Sequence, residues 1–541
     1  MSVSVQVGGG PSAQPSDLEG VAAALAAKDP TLWGAAAEPE AAQRLGWLDL
    51  PTSSEALLPR LRELRDRLRA AALDRVVLAG MGGSSLAPEV ITRTAGADLT
   101  ILDSTDPHQV AAALRERIER TVVVVSSKSG GTIETDSHRR AFEQAFRKAG
   151  LTDAEVARRI VVVTDPGSPL HDEATAAGYE VVLADPDVGG RYSALSAFGL
   201  TPSYLAGADV ERILADARVL ADQLGDDDNP GLVLGRALGD QAKAGRDKLL
   251  IADTGSGIVG MGHWVEQLVA ESTGKEGVGI LPVVVEGIDA PGFGGAGPDA
   301  HLVVLGPGRP GLDATSVTGS LGAQFLLWEY ATAVAGRILG INPFDQPNVA
   351  ESKENTQKIL DEAGDGPLPE GEPALVDGVV EIHGDDATLA ALGATGASDL
   401  VGVLRGLVAA VPERGYLAVM AYLDRVGDDA ALGVRERLAR AALPWQVTFG
   451  WAPRFLHSTG QFHKGGPQGG VFLQLTGAVT QDVDVPGRPF TFGRLEMAQA
   501  LGDQRALAGR SRPVVRLHLT DRAEGVRQLL AAAAAATEGT A

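Results

Sequence analysis

Val122-Val123-Val124-Val125-Ser126-Ser127-Lys128-Ser129-Gly130-Gly131-Thr132-Ile133-Glu134-Thr135 decides the fold. Four consecutive valines spell a strand buried on both faces, which is the habit of a parallel sheet. The run ends in hydroxyls, a lysine and two glycines, and a helical pattern follows from Arg139 to Ala149. That order sets small donors and free backbone N–H groups at a helix N-terminus, a favourable place for phosphate. A plain strand-to-helix turn would account for the glycines but not for the crowded hydroxyls and lysine. The lysine precedes the glycines, and G-x-x-x-x-G-K-[ST] is absent from the chain, so this is not a nucleotide P-loop. We read a cradle for a small phosphorylated ligand.

Working outward, further short apolar runs are spaced by helical stretches: Arg75–Ala79, Leu99–Leu102, Arg159–Val163 and Tyr179–Leu183. A second set follows at Lys248–Ala252, Leu281–Val285 and His301–Leu305, past the polar segment 225–231. Alternation of strand and helix predicts doubly wound, mostly parallel sheets. Strand candidates in a third region are Gly378–Ile382, Leu417–Tyr422, Val471–Leu475 and Val514–Leu519. The expected organisation is a disordered N-terminus over 1–16, a first α/β domain with N-terminal helices over 17–225, and a second over 232–363. A C-terminal α/β region over 377–520 and a helical, frayed tail over 521–541 complete it.

The chain has 541 residues, no cysteine and a formal charge of −23. Disulfides and thiolate metal sites are therefore excluded, and such an acidic chain is a poor partner for nucleic acid or an anionic membrane. No apolar run approaches the roughly 20 residues of a membrane span, and Met1–Ser16 lacks a signal-peptide pattern. The expected location is the cytoplasm.

Several other loops carry chemistry-bearing residues. Gly80-Met81-Gly82-Gly83-Ser84-Ser85 ends the strand before the valine run, and its glycines permit backbone to approach a ligand. Gly189-Gly190-Arg191-Tyr192-Ser193 places an arginine behind two glycines, where a fixed charge suits a developing oxyanion. In Glu266-Gln267-Leu268-Val269-Ala270-Glu271-Ser272-Thr273-Gly274-Lys275, Gln267 and Glu271 share a helix face. A carboxylate there suits a general base, although spacing alone favours a solvated helix end. Asn342-Pro343-Phe344-Asp345-Gln346-Pro347 precedes a polar helix bearing Lys353. His457-Ser458-Thr459-Gly460-Gln461-Phe462-His463-Lys464-Gly465-Gly466-Pro467 suggests proton transfer or phosphate contact, and its spacing is wrong for a metal.

Five of these motifs together, in this order between residues 80 and 355, resemble the glucose-6-phosphate isomerase (phosphoglucose isomerase) family. The resemblance implies two flavodoxin-like sugar-isomerase domains, no metal or organic cofactor, and interconversion of glucose 6-phosphate and fructose 6-phosphate through a cis-enediol, in glycolysis and gluconeogenesis. Carried over by position, Ser127, Lys128, Ser129 and Thr132 would hold the phosphate, with Gly83 and Ser84 beside the sugar and Gln267 lining the pocket. Glu271 would be the base and Arg191 the enediolate partner, and Lys353 matches the family's lysine. The family's ring-opening histidine normally lies between that glutamate and lysine, but the only histidine there, His301, has unmatched surroundings. Residues 377–520 are similar instead to the carboxyl-terminal part of transaldolase–isomerase fusions. His463, with His457 second, is therefore the expected ring opener, and a homodimer follows by resemblance. A dual phosphoglucose/phosphomannose isomerase and a non-catalytic sugar-phosphate regulator are the alternatives. The cysteine-free sequence excludes a glutamine-using aminotransferase.

Overall fold

A computed structural model describes residues 3–8 and 15–537. The valine run becomes the strand Thr121–Ser126, at the centre of a five-stranded parallel sheet. Across that sheet the strands run Leu99–Leu102, Arg75–Gly80, Thr121–Ser126, Ile160–Thr164 and Glu180–Leu183. Side chains alternate between two interiors. Val122 and Val124 join one core with Val76 and Leu78, while Val123 and Val125 join another with Val77 and Ala79. Burial on both faces is what an uninterrupted valine run requires.

Numbered within the sheet, the strand order is 2-1-3-4-5, the flavodoxin-like winding, whose ligand crevice lies where the order reverses. That point falls between Arg75–Gly80 and Thr121–Ser126, the strands that end in the two glycine-rich loops. A second sheet runs Leu281–Val284, Lys248–Asp253, Ala300–Leu305 and Thr315–Thr318, again 2-1-3-4, with Ser4–Gln6 added antiparallel at the edge. Ser4–Gln6 thus corrects the expectation of disorder over 1–16. Its backbone gains a ladder partner in Ser316–Thr318, which local composition could not reveal. The rest of that expectation, at residues 1–2 and 9–14, lies outside the described residues.

The two N-terminal sheets turn one face each toward a shared layer of helices. Within it, helix Pro230–Lys243 lies against helix Leu321–Leu339 through a stripe of glycines. A Cβ at Gly231, Gly235 or Gly239 would stand 2.4–2.7 Å from Tyr330, Val334 or Ile338, so only hydrogen fits.

The C-terminal region forms a six-stranded sheet in the order Leu375–Asp377, Val380–His383, Val514–Leu519, Gly470–Gly477, Tyr416–Tyr422 and Gln446–Trp451. Its last four strands are mutually parallel and wound 2-1-3-4 like the other two sheets, and a hairpin closes one edge. Helix Arg522–Thr537 buries Leu529, Ala532, Ala533 and Ala536 against this sheet, which corrects the expected fraying over those residues. The remainder of the tail, 538–541, lies outside the described residues. No helix among the described residues is long and apolar enough to cross a membrane.

The C-terminal region also covers both N-terminal sheets. Tyr416, Met420 and Phe472 meet Leu250, Val283 and Val304 of the second sheet, while helix Phe492–Ala508 covers Val123, Val125 and Val162 of the first.

Candidate active site

A cavity of about 200 Å³ opens at the first sheet's switch point. Three close approaches build it. Gly83 packs so tightly on the next motif that a Cβ there would stand 2.0 Å from the Gly190 carbonyl oxygen. Gly82 has a φ of +55°, and a Cβ on it would meet Gln267 Nε2 and the His457 carbonyl oxygen, both at 2.8 Å. These glycines let the loop at residues 80–84, the Arg191 turn, helix Met261–Thr273 and the His457 turn share one cavity.

Arg191 is buried and fully engaged. Its Nε donates to Ser272 Oγ at 2.8 Å, and Nη2 donates to the carbonyls of Pro343 and Asp345 at 2.9 and 2.8 Å. Nη1 donates to Gln346 Oε1 at 3.0 Å and lies 3.0 Å from Glu271 Oε1. Glu271 accepts a second contact from Gln267 Nε2 at 3.0 Å. The same Nε2 donates to the His457 carbonyl at 2.7 Å. The carboxylate is thus held on two sides at the cavity wall rather than solvated at a helix end. Lys275 secures the arrangement from behind, donating to the carbonyls of Asn342 and Asp345 at 2.7 and 2.6 Å. Burial, then the Arg191 charge, brings its ammonium down to about 8.

Across the cavity, helix Ile133–Lys148 begins directly after Thr132, six residues before its sequence pattern becomes recognisable. Thr132 Oγ1 and Ser127 Oγ are 3.1 Å apart, and Ser127 Oγ also accepts from Gly130 N at 3.2 Å. Ser84, Ser129 and Lys128 line the same space. The Lys128 ammonium, however, is ion-paired with Asp165 and donates to the Pro186 carbonyl at 3.1 Å. The Lys128 ammonium is thus already engaged within the protein, while the hydroxyls and the helix N-terminus border the cavity.

The two histidines expected from the sequence lie in different places. His463 lies outside the cavity, boxed by Tyr416, Phe472 and Phe455, with Tyr416 Oη 3.0 Å from Nδ1. Burial, with the charges of Lys464 and Arg512, keeps its ring well below the ordinary histidine range. It is a core residue. His457 is the one that lines the cavity, beside Lys353. Its Nε2 lies 3.0 Å from Glu134 Oε1, which also accepts from Gln499 Nε2 at 2.8 Å. Burial alone would raise the Glu134 carboxyl, but the charge and hydrogen bond of His457 hold it at about 2. Glu134 and Gln499 were missed in the sequence. The first was visible as an acid in the first turn of the cradle helix, whereas the second is brought in by helix Phe492–Ala508 from more than 300 residues away. His301 sits in a strand with Nε2 2.9 Å from Thr315 Oγ1 and does not line the cavity. Among the described residues no group of His, Cys, Asp and Glu is placed to hold a metal ion.

The remaining candidate site residues converge here: Gly83, Ser84, Ser127, Lys128, Ser129, Thr132, Arg191, Gln267, Glu271, Lys353 and His457. The arrangement offers a fixed cation beside a carboxylate, an imidazole–carboxylate pair beside a lysine, and an anion cradle.

Comparison with known proteins leads to the same place. The sequence profile described as phosphoglucose isomerase matches residues 52–226. A glucose-6-phosphate isomerase of Rubrobacter xylanophilus is 30% identical over 392 residues, covering 59% of this chain and 90% of that protein. The glucose-6-phosphate isomerase of Thermus thermophilus is 38% identical over 186 residues, but these span 33% of this chain and 43% of that protein. Among solved structures, a hypothetical protein of Thermus thermophilus superposes with a TM-score of 0.52 at 26% identity, covering 63% of this chain and 98% of that one. Matched over nine-tenths of the Rubrobacter protein, with the family's motifs gathered around one cavity, the chain belongs to the phosphoglucose isomerase family.

Proposed function

We propose that the protein is a glucose-6-phosphate isomerase, reversibly converting glucose 6-phosphate to fructose 6-phosphate. The observation that carries this reading is Glu271, held by Arg191 and Gln267 on one wall of a cavity whose other wall is the Ser127–Thr132 anion cradle. The phosphate would sit on the hydroxyls and helix N-terminus, so that binding energy remote from the reaction orients the sugar. His457 and Lys353 would open the ring, one taking the proton of the C1 hydroxyl while the other protonates the ring oxygen. Glu271 would then take the C2 proton and return it to C1. Negative charge appears on the enediolate oxygens in between, and the immobile Arg191 guanidinium stabilises it without reorganising. No electrons leave the substrate and no co-reactant is consumed.

All these groups come from one chain, so a homodimer is not required for the chemistry. A dimer remains our proposal from the family resemblance, as does a cytoplasmic location. A coupled assay with glucose 6-phosphate and mannose 6-phosphate tests the function. Turnover of the first alone supports the isomerase, and turnover of both makes it the dual enzyme. Binding of both without turnover leaves only the regulator and overturns the proposal.

A further inference from the structure

Behind the catalytic wall lies a second cavity, of about 360 Å³, that the isomerisation leaves unused. Three parts of the chain enclose it: helix Leu86–Ala95, helix Met261–Thr273, and the carboxyl ends of the third-sheet strands Tyr416–Tyr422 and Gln446–Trp451. Crevices beyond strand ends are where open α/β sheets take ligands, and small-molecule pockets begin at about 300 Å³. Part of the lining is aromatic. Phe449 and Trp451 sit edge to face with ring centroids 5.0 Å apart, both half-buried.

The cavity also presents Arg93, Arg425 and Arg454. Two carboxylates face them. Glu89 lies 2.6 Å from Arg454, 3.0 Å from Arg425 and 3.6 Å from Arg93. Asp103 is 3.3 Å from Arg454 and 3.6 Å from Arg425. Three guanidinium groups thus gather in one recess of a chain of charge −23, beside the carboxyl groups of Glu89, Asp103 and Glu266. Arg425 Nη1 donates to Glu89 Oε1 at 3.0 Å, but neither Asp103 oxygen nor Arg425 Nε makes a hydrogen bond among the described residues, so the cluster is not saturated.

Free polar groups are otherwise few. Ser458 Oγ already donates to the Phe455 carbonyl, which leaves Glu266 and His263. Two aromatic rings beside three guanidinium groups suit a flat heteroaromatic ring carrying a phosphate, the ring against Phe449 or Trp451 and the phosphate on the arginines. We propose that this cavity binds a nucleoside monophosphate as an effector of the catalytic pocket. The turn Arg454–His457 joins the two sites. Arg454, Phe455 and the following Ser458 line the effector cavity, while Leu456 and His457 line the catalytic side. An occupant that binds one position of this turn better than another shifts His457 with it.

Titration calorimetry on the full-length protein with adenosine monophosphate, and separately with ribose 5-phosphate, tests the proposal. The nucleotide should bind, and the sugar phosphate lacking the base should bind at least ~tenfold more weakly, as expected for a lost base–aromatic stack. Trp451→Ala should cost at least ~tenfold in nucleotide affinity for the same reason, and Arg93→Ala should also weaken it. Neither residue lines the catalytic cavity, so isomerisation without nucleotide should be unchanged, while nucleotide should alter the wild-type KM or kcat. No nucleotide binding at millimolar concentration overturns the proposal, as does equal binding of ribose 5-phosphate. So does binding that survives both variants or that saturating hexose phosphate abolishes. Binding without a kinetic effect overturns the effector role.

Discussion

Two histidines six residues apart show how a single residue's role is set by its surroundings. His457 projects beside Lys353 with Glu134 behind it, and His463 is enclosed in aromatic rings. His457→Ala should therefore slow turnover of the cyclic sugar far more than enolisation of an open-chain substrate, measured with an aldose phosphate that cannot close its ring. His463→Ala should leave the kinetics of the folded enzyme near normal and cost about 2–5 kcal/mol of stability, the range for truncating a mid-sized buried side chain to alanine. Equal kinetic effects from the two would refute the assignment. Glu271→Gln preserves shape but cannot take a carbon-bound proton, so kcat should fall at least ~10²-fold while phosphosugar affinity survives. Near-normal turnover would remove Glu271 from the role of base. Glu134 gives a pH signature. Its folded carboxyl is held at about 2 against an ordinary 4.5, so its stabilisation is full above 4.5 and is lost as pH falls toward 2. The stability gap between wild type and Glu134→Gln, read from melts at descending pH, should narrow across that window. A gap that stays constant would show that the pair with His457 does not depress the carboxyl.

At the scale of elements, close helix packing rests on residues with no side chain. Gly235→Ala and Gly239→Ala would each drive a methyl into Val334 or Ile338. Each should destabilise by about 1–3 kcal/mol, the usual cost of overpacking, with no direct effect on KM. Unchanged melting of the double variant would mean that the two helices separate freely. The elements most legible in the sequence were those with their own apolar signal, such as the valine strand and its neighbours. Thr315–Thr318 carries one apolar side chain and Ser4–Gln6 is three residues long, so both are strands only because a partner edge accepts them. In Gln446–Trp451 a glycine interrupts the alternation, and without that strand the common winding of the third sheet could not be recognised. The site was legible wherever one motif carried both the loop and its residue. It was not legible where Tyr416 and Phe472, distant in sequence, decided which histidine is enclosed.

Across the whole molecule, the C-terminal region is structurally continuous with the catalytic half. It supplies His457 to the cavity and packs apolar side chains against both N-terminal sheets. Multidomain chains often unfold in steps because interfaces between their domains are small and polar. Here the interfaces are interior. Phe472 is fully buried in the core shared by the second and third sheets, and Phe492 and Leu495 are buried in the core shared with the first. Removing either contact exposes apolar surface on both partners, which couples their unfolding. Urea denaturation should accordingly show a single transition, with tryptophan fluorescence, far-ultraviolet circular dichroism and isomerase activity lost together. Phe472→Ala should move all three curves to lower urea by the same amount, corresponding to about 3–5 kcal/mol for a fully buried phenylalanine. A biphasic curve, or a Phe472→Ala shift confined to one phase, would show that the C-terminal region folds independently and that its contribution of His457 is made by docking.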